Sequence, residues 1–549
     1  MKLAISLAAA IFATAPTALA PGMSSSLVGI GFICGAEDAA ASTVGAATGV
    51  MLPGMGNGTY AVDTANPDAA AWFNHALRLY HAFAHDEAKA AFARAAALDP
   101  NCSLCASGVA LSLGPTLNTG ITPAETVVAR DAAKRALALA KPDDVRAKGL
   151  ATALLARYAE TPPPSGGREK AFGRDLDELY KANPSDVLVA NLAAHALIIP
   201  ARQDDFSGVE RSIAIIEAVL KANPDDAAAI HYYIHATEFA QRAPLALPYA
   251  ERLADLAPGS GHLVHMGTHT MMRVGHYEDV ALSNARALKV DVESQSTLPT
   301  SGSLAQRYYL HNYLFGLSGA LMAGDEALAL RYADHAEKGF KAAGLPRNRV
   351  MSRARSLVAL GRYAPDRALA VPQDPDDGRF LRIYRHYARG EAFAAKGDAA
   401  GVRREAEAIR AVIAQGAQTG DLGGEAEMAA VAEGVLRGRA AMVTGKPEEA
   451  VRHFAEAAAA QEKAYPVPKN FDPPPWWYPV RRSLAAAHLK AGRNAEAIRE
   501  AKASLVEWPQ DGLALRILEK ADKAQAAQWR AQARKAYVGD VAKIPLDLT

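Results

Sequence analysis

The sequence of 549 residues has little of several features that mark particular protein classes. Three cysteines are too few to frame a disulfide-stabilised scaffold. The 60 basic and 59 acidic residues nearly cancel, which argues against nucleic acid as the main partner. Aromatic residues make up only 7% of the chain, a composition that suits closely packed helices better than sheets. The 50% hydrophobic content, in turn, excludes a disordered protein.

The first 20 residues have the composition of a secretory signal peptide. Lys2 gives a positive start, and residues 3–13 form an apolar stretch that is too short to span a bilayer. Residues 18–20, Ala-Leu-Ala, offer a small-residue cleavage site. We therefore predict a periplasmic or secreted bacterial protein, cleaved after about Ala20, with no transmembrane segment in the mature chain. The alternative is a helical membrane anchor.

The remainder of the chain divides into two parts. Residues 21–66 are rich in Ala, Gly and Ser, and we expect them to form a low-complexity linker or flexible arm. Over residues 67–540, amphipathic stretches of helical period are separated by Asn-Pro, Asp-Pro or Gly, and no run alternates as a strand does. The sequence therefore predicts an all-α protein. Cys102 and Cys105 stand at a helix start, where they can pair in an oxidising compartment, although with strain.

A turn-plus-helix phrase recurs along the helical part. It reads Gly-Lys-Pro-Glu-Glu-Ala at residues 445–450 and Gly-Arg-Asn-Ala-Glu-Ala at residues 492–497, and Pro224 and Pro258 are 34 residues apart. This pattern is similar to that of tetratricopeptide repeat (TPR) proteins. The resemblance implies an α-solenoid of stacked helix pairs whose concave groove binds a peptide or protein partner.

Histidine is concentrated in one part of the predicted solenoid. Six of the fifteen histidines of the chain fall within residues 231–276. His231 and His265 are 34 residues apart, as are His235 and His269, so each pair takes equivalent positions in successive repeats. Equivalent helices of neighbouring repeats lie side by side, about 10 Å apart. The register therefore predicts that these histidines meet across two helices of the concave wall.

The chemistry that uses such a cluster is metal binding. Neutral imidazoles ligate copper, zinc and iron, whereas the scarcity of carboxylates argues against magnesium or calcium. The histidines exceed the three that one catalytic zinc takes, which leaves two metals, or one metal with supporting histidines, as possibilities. Copper or zinc is favoured and iron remains possible. The predicted ligands are His231, His235, His262, His265, His269, His311 and His195. A hydrogen-bonded histidine network and a pH-sensitive or peptide-binding wall are the alternatives.

Four further residues are candidates for the site. Glu238 lies three residues after His235 and can act as a ligand, as a general base or in a salt bridge. Arg273 can hold an anionic substrate group or satisfy a helix end. The Pro- and Trp-rich segment 466–481 forms either a rigid connector or a wall that offers Tyr478 and Arg481 to a ligand.

Some phrases resemble one branch of TPR proteins in particular. They are His-Tyr-Tyr-Ile-His-Ala at 231–236, His-Leu-Val-His-Met at 262–266 and Trp-Tyr-Pro-Val-Arg at 477–481. The branch consists of bacterial, exported and mostly uncharacterised proteins, and the resemblance spans roughly residues 55–515. It implies that the histidines belong to one site, but it brings no reaction with it. Where members of the branch often have Pro, this chain has Gly267.

These features together predict an exported metalloenzyme that acts on a small molecule. A copper pair would use dioxygen to oxidise a small, for instance phenolic, substrate, and this reaction is slightly favoured over hydrolysis at zinc or iron with Glu238 as the base. A non-catalytic scaffold for a peptide or protein partner and a metal storage or delivery protein are the alternatives.

Overall fold

Paired α-helices make up nearly all of the regular structure. The computed structural model of the chain describes residues 50–161, 167–297, 304–342, 348–374, 377–419, 425–465 and 476–549. Within these ranges there is no β-strand, which confirms the all-α prediction. None of the described helices is long and apolar enough to cross a membrane. The predicted signal peptide, residues 21–49 of the predicted arm and residues 466–475 lie outside the described residues.

The described chain contains 24 α-helices. They are α1 Pro67–His81, α2 His85–Leu98, α3 Ser103–Leu113, α4 Pro123–Leu139, α5 Val145–Arg157, α6 Arg168–Ala182, α7 Val187–Ile198, α8 Val209–Ala222, α9 Ala227–Phe239, α10 Leu247–Leu256, α11 Gly261–Val274, α12 Tyr277–Thr297, α13 Leu304–Ala323, α14 Glu326–Ala342, α15 Asn348–Tyr363, α16 Pro365–Ala370, α17 Arg379–Ala395, α18 Ala399–Thr419, α19 Glu425–Val443, α20 Pro447–Ala464, α21 Val480–Lys490, α22 Asn494–Glu507, α23 Gly512–Ala521 and α24 Ala526–Ala536. Each helix packs on the next, and α7, α9, α11 and α13 also contact one another in that order. This is the arrangement of an α-solenoid, in which the first helices of successive hairpins form one wall.

The two helices at the centre of this wall have well-defined ends. Asp226 caps α9 and Ser260 caps α11, each accepting a backbone N–H of the first helical turn. Gly275 ends α11 with φ +83°, a conformation that favours glycine. A Cβ at Gly275 would lie 2.1 Å from the carbonyl oxygen of Pro509, so the turn after α11 also lies directly against the turn before α23. The wall is thereby closed against the C-terminal helices.

The hydrophobic core is divided at α11. One large apolar cluster runs from Met55 to Met266 and includes Tyr308, and a second runs from Met271 to Ala521. Between Met266 and Met271, α11 carries Gly, Thr, His and Thr. A layer of buried polar side chains therefore separates the two clusters, and the histidines lie in this layer.

The described part of the predicted arm differs from the expectation. Residues 50–66 lie against the solenoid: the Asp63 carboxylate accepts the backbone N–H groups of Ser103 and Leu104 at 3.1 and 3.2 Å. Asn57 donates to the carbonyl oxygen of Asp225 at 2.7 Å. The composition of these residues indicated a loose segment because it does not reveal polar contacts to helices distant in sequence.

A disulfide bond joins Cys102 and Cys105 at the start of α3. Sγ of Cys102 also accepts the backbone N–H of Cys105 at 3.0 Å, as an N-cap does. The sequence had allowed this pairing and left it open.

Asp291 on α12 gives the protein a testable pH dependence. Burial raises its pKa to about 8, and the Asn312 side chain donates to its carboxyl group at 2.9 Å. Between about pH 4, where an unfolded aspartate titrates, and pH 8, the folded state keeps a proton that the unfolded state has lost, so this group makes stability fall as the pH rises. We expect Asp291→Asn to raise the free energy of unfolding at pH 8 by roughly 1–3 kcal/mol and to change it little at pH 4.5. Urea unfolding at both pH values measures this, with the exposed Asp255→Asn as control. An equal effect at both pH values would contradict the assignment.

Candidate metal centre

Three neighbouring helices supply the histidines of the candidate centre. Helix α9 carries His231 and His235, helix α11 carries His262, His265 and His269, and helix α13 carries His311. Because α11 contacts both α9 and α13, these side chains extend towards a common region from three adjacent helices. The 34-residue register predicted this meeting from the sequence.

The first group, which we call the first triad, consists of His231, His235 and His262. Nε2 of His231 lies 3.2 Å from Nε2 of His235 and 3.2 Å from Nε2 of His262. Each of the three side chains offers a nitrogen within 4.8 Å of the other two, and all three are buried. These three side chains could hold one metal ion.

The second triad consists of His265, His269 and His311. Nε2 of His311 lies 3.0 Å from Nε2 of His265, and the three residues again offer nitrogens within 4.8 Å of one another. The triads are adjacent, since the His235 and His269 rings are 6.1 Å apart and the His262 and His265 rings 6.2 Å. The six side chains can therefore hold two metal ions side by side.

The grouping of His262 crosses from one helix to another, because His262 shares α11 with His265 and His269. In the structure His262 joins the two histidines of α9. It stands one helical turn before His265, at the end of α11 that reaches the first triad. Helical spacing alone does not decide which neighbouring helix a side chain meets.

In two of the ligand rings, hydrogen bonds determine which nitrogen carries a proton. Nδ1 of His231 donates to the carbonyl oxygen of His81 at 2.6 Å, and Nδ1 of His269 donates to Oε2 of Glu238 at 2.9 Å. Because a carbonyl and an ionised carboxylate only accept, Nδ1 of each ring carries a proton. Nε2 of the neutral His231 ring therefore presents a lone pair to the centre, and Nε2 of His269 is the atom of that ring left to ligate.

The same reasoning applies to His265. Its Nδ1 lies 2.7 Å from Oδ1 of Asn284, whose amide nitrogen donates to the carbonyl oxygen of Val280 at 2.8 Å. Since the amide nitrogen faces Val280, the amide oxygen faces the ring and accepts its proton. Nε2 of His265 is thus also a lone-pair donor.

Five of the six rings are neutral at pH 7. Burial lowers the pKa of His231 to about 3 and lowers the pKa values of His235, His262, His265 and His311 well below the usual range. In each of these contacts one neutral ring can donate an N–H to the lone pair of its neighbour at 3.0–3.2 Å, or a cation can lie between two lone pairs. The arrangement suits a bound metal ion.

Glu238 orients a ligand and is ion-paired. Oε2 accepts from His269, and Oε1 accepts Nε of Arg273 at 3.0 Å. Burial raises the pKa of Glu238, but His269 and Arg273 more than offset this, so its pKa lies below the usual range. Of the roles that the sequence left open, this geometry favours the salt bridge and leaves neither oxygen free to act as a base.

Two phenylalanine rings cover the triads, and the sequence analysis did not find them. Phe83 lies 4.4 Å from His231, with its ring also against His235 and His262. Phe315 lies 4.7–4.9 Å from all three rings of the second triad. Phe83 has φ +57°, a strained conformation for a non-glycine residue, which brings its ring over the first triad. Together the two rings shield the centre from water.

His195, a predicted ligand, lies outside both triads. Its Nδ1 lies 3.3 Å from the hydroxyl of Tyr80, and its ring stacks on Tyr232 at 4.7 Å. His195 lies on the neighbouring helix α7. On that helix, however, its ring packs against aromatic neighbours rather than against the other histidines.

A cavity of about 1030 Å³ lies beside Glu238 and Arg273, between the α9–α11 wall and the C-terminal helices. Glu238, Arg273 and Arg481 all line it, so the structure brings these three predicted residues together. Arg481 is held by Glu462 and Glu500, with contacts of 2.5 and 2.6 Å. An anionic ligand in the cavity would have to compete with these carboxylates for the two guanidinium groups.

Tyr478 does not line this cavity. It is fully buried, as are its neighbours Trp476 and Trp477, and its hydroxyl lies 3.0 Å from Oγ of Ser483. This differs from the expectation that Tyr478 is offered to a ligand: the aromatic residues of this segment belong to the core, where apolar burial holds them.

Comparisons with known proteins find similar folds among solved structures. No family model matches the chain, and no curated protein matches it in sequence. Similar solved structures include the TPR domain of P58(IPK), with 12% identity, 84% of this chain and 99% of that chain covered, and a TM-score of 0.22. The human IFIT1 dimer with m7Gppp-AAAA is 11% identical, with 79% of this chain and 89% of that chain covered and a TM-score of 0.31. Yeast Tom70 is 13% identical, with 85% of this chain and 98% of that chain covered and a TM-score of 0.29. The helix pairing and 34-residue register of the chain itself identify it as an α-solenoid of the tetratricopeptide type.

Proposed function

We propose that this chain is an exported metalloprotein with a dinuclear transition-metal centre, in which each histidine triad holds one ion. The observation that carries the proposal is the convergence of six imidazoles in two groups of three, buried between two hydrophobic clusters. A metal ion would replace the N···N hydrogen bonds at 3.0–3.2 Å as the partner of these buried nitrogens.

The donor set favours copper or zinc, with iron as a further possibility. All six donors are imidazole nitrogens, whereas magnesium and calcium take oxygen ligands. Three protein ligands for each ion leave a coordination position open, which is typical of catalytic rather than structural sites. An enzyme is therefore favoured over a purely structural centre.

The proposed reaction is oxidation of a small molecule. A copper pair, when bound, supplies electron-transfer chemistry with dioxygen. Hydrolysis is less favoured, because it needs a base for water and both oxygens of Glu238 are already engaged by His269 and Arg273. The cavity next to Glu238 is the proposed place for the substrate.

Two other functions have some support. Metal storage or delivery is favoured by burial, since the ligands on α9 and α11 are at most 3% exposed and the cavity reaches Glu238 rather than the histidines. A scaffold that binds a peptide in the cavity is favoured by the solenoid fold.

Turnover of the reconstituted full-length chain distinguishes these functions. Metal-free protein is loaded separately with copper, zinc and ferrous iron, and metal per chain and oxygen uptake with mono- and diphenols are measured. We expect two copper ions per chain and oxygen uptake that depends on them. Two ions without turnover on any substrate would favour storage over catalysis. No metal binding would refute the proposal and favour the scaffold.

His195→Gln is expected to leave the metal content at two ions per chain. The physical reason is that His195 contacts Tyr80 and Tyr232 instead of joining a triad. Elemental analysis of the variant and the wild type, purified together, checks this. Loss of one ion at unchanged helical content would show that His195 is a ligand.

A further inference from the structure

The two triads differ in the charge that surrounds them. None of the described carboxylates forms a hydrogen bond or ion pair with a ring of the first triad, whose fixed Nδ1 donates to the neutral carbonyl of His81. Phe83 covers these rings, and His262 stacks on Tyr308 at 4.1 Å. The first triad is therefore a neutral, apolar site.

The second triad has a full negative charge directly behind one ligand. Glu238 is hydrogen-bonded to His269 and is 4% exposed at its side chain. Its cationic partner Arg273 is 27% exposed, so solvent screens the guanidinium more than the carboxylate. An ion in the second triad consequently experiences a net attraction that is absent at the first.

This difference matters because the cost of burying an ion rises with the square of its charge. A divalent ion in the first triad has no buried anion to offset that cost, whereas a monovalent, soft ion incurs a much smaller one. In the second triad, Glu238 compensates part of the charge of a divalent ion and makes the His269 ring a stronger donor.

We infer that the two sites take different ions: the first triad is a Cu(I) site, and the second triad is a site for a divalent ion such as Zn²⁺ or Cu²⁺. The inference rests on the proposed function, since it presupposes that both triads bind metal. It implies that the half-loaded protein, with a divalent ion in the second triad alone, is a stable species.

Separate titrations of the metal-free full-length chain test this. Zn²⁺ is expected to bind one equivalent tightly and a second at least tenfold more weakly. His231→Ala with His235→Ala should keep the tight Zn²⁺ equivalent, and His265→Ala with His269→Ala should lose it. Cu(I), added without oxygen against a competing chelator, should still bind to the latter variant.

Glu238→Gln isolates the role of the charge, since it removes the anion and keeps the side-chain shape. We expect it to weaken the tight Zn²⁺ equivalent by about 10–100-fold and to leave Cu(I) binding at the first triad unchanged. The matched control is Glu210→Gln, because Glu210 is 74% exposed and pairs with Arg242 at the surface. Thermal melts of both variants verify that they fold.

The outcomes separate the inference from the proposed function. Two Zn²⁺ equivalents of equal affinity, or equal weakening of Zn²⁺ and Cu(I) by Glu238→Gln, would overturn the inference while leaving a dinuclear centre in place. Binding of neither ion to the wild-type chain would overturn both. A tight Zn²⁺ equivalent that survives in the variant lacking His265 and His269 would also overturn the inference, because it would place the divalent ion in the first triad.

Discussion

Replacing His265 and His269 together with alanine is expected to reduce the metal content of the copper-loaded protein from two ions per chain to one. These residues supply two of the three donors of the second triad, and the one that remains, His311, cannot hold an ion alone. The first triad shares no ligand with the second, so its ion should stay. Elemental analysis after exhaustive dialysis measures the loss, and circular dichroism reports the helical content.

The reciprocal variant, His231→Ala with His235→Ala, should lose the other ion, and the fourfold variant should lose both. His276→Ala is the matched control, because His276 is 39% exposed in the turn after α11 and belongs to neither triad. If either double variant loses both ions, the two triads form one cooperative site instead of two. If neither variant loses any, the histidines are not the ligands.

Asp511→Ala is expected to lower the free energy of unfolding by about 3–5 kcal/mol, the largest stability effect that we predict for a single substitution. Asp511 and Arg482 are each 1% exposed at their side chains and are joined by a 3.0 Å ion pair. Asp511 also caps α23 by accepting the backbone N–H of Leu513 at 3.0 Å. The substitution leaves the Arg482 guanidinium buried without its counter-charge and removes the cap.

Two variants make this measurement specific. Asp511→Asn keeps a capping side chain but removes the charge. We therefore expect it to lower the free energy of unfolding by most of the amount that Asp511→Ala does. Glu448→Ala breaks an exposed ion pair with Arg493 and should cost about 0–1 kcal/mol. Chemical unfolding followed by fluorescence measures all three. An Asp511→Ala effect as small as that of Glu448→Ala would show that the buried pair contributes little.

Much of the fold follows from local sequence signals. Helix caps such as Asp226 and Ser260, and the turn glycine Gly275, are visible in the sequence, and the structure uses each as a helix boundary. The 34-residue spacing of His231 and His265 located the wall on which the site lies. The helices could be predicted because helical periodicity depends on neighbours within a few residues.

The rest of the site depends on contacts between distant segments. Phe83 has a left-handed backbone conformation, and its ring contacts His231 on a helix far along the chain. The residues next to Phe83 in the sequence indicate neither feature. Nor does the spacing of His262 reveal that its partner helix is α9. The same holds for Tyr478, whose aromatic neighbours indicated a ligand wall but in fact complete the core. Superhelical curvature decides such contacts, and curvature is a sum of small rotations along the whole solenoid.

Anomalous X-ray diffraction from crystals of the reconstituted full-length chain tests the central claim most directly. With copper as the loaded metal, data collected on either side of its absorption edge locate copper alone. We predict two peaks, one about 2.0–2.1 Å from the ligand nitrogens of His231, His235 and His262, and one at the same distance from those of His265, His269 and His311. A single peak, or peaks away from these six side chains, would contradict the account.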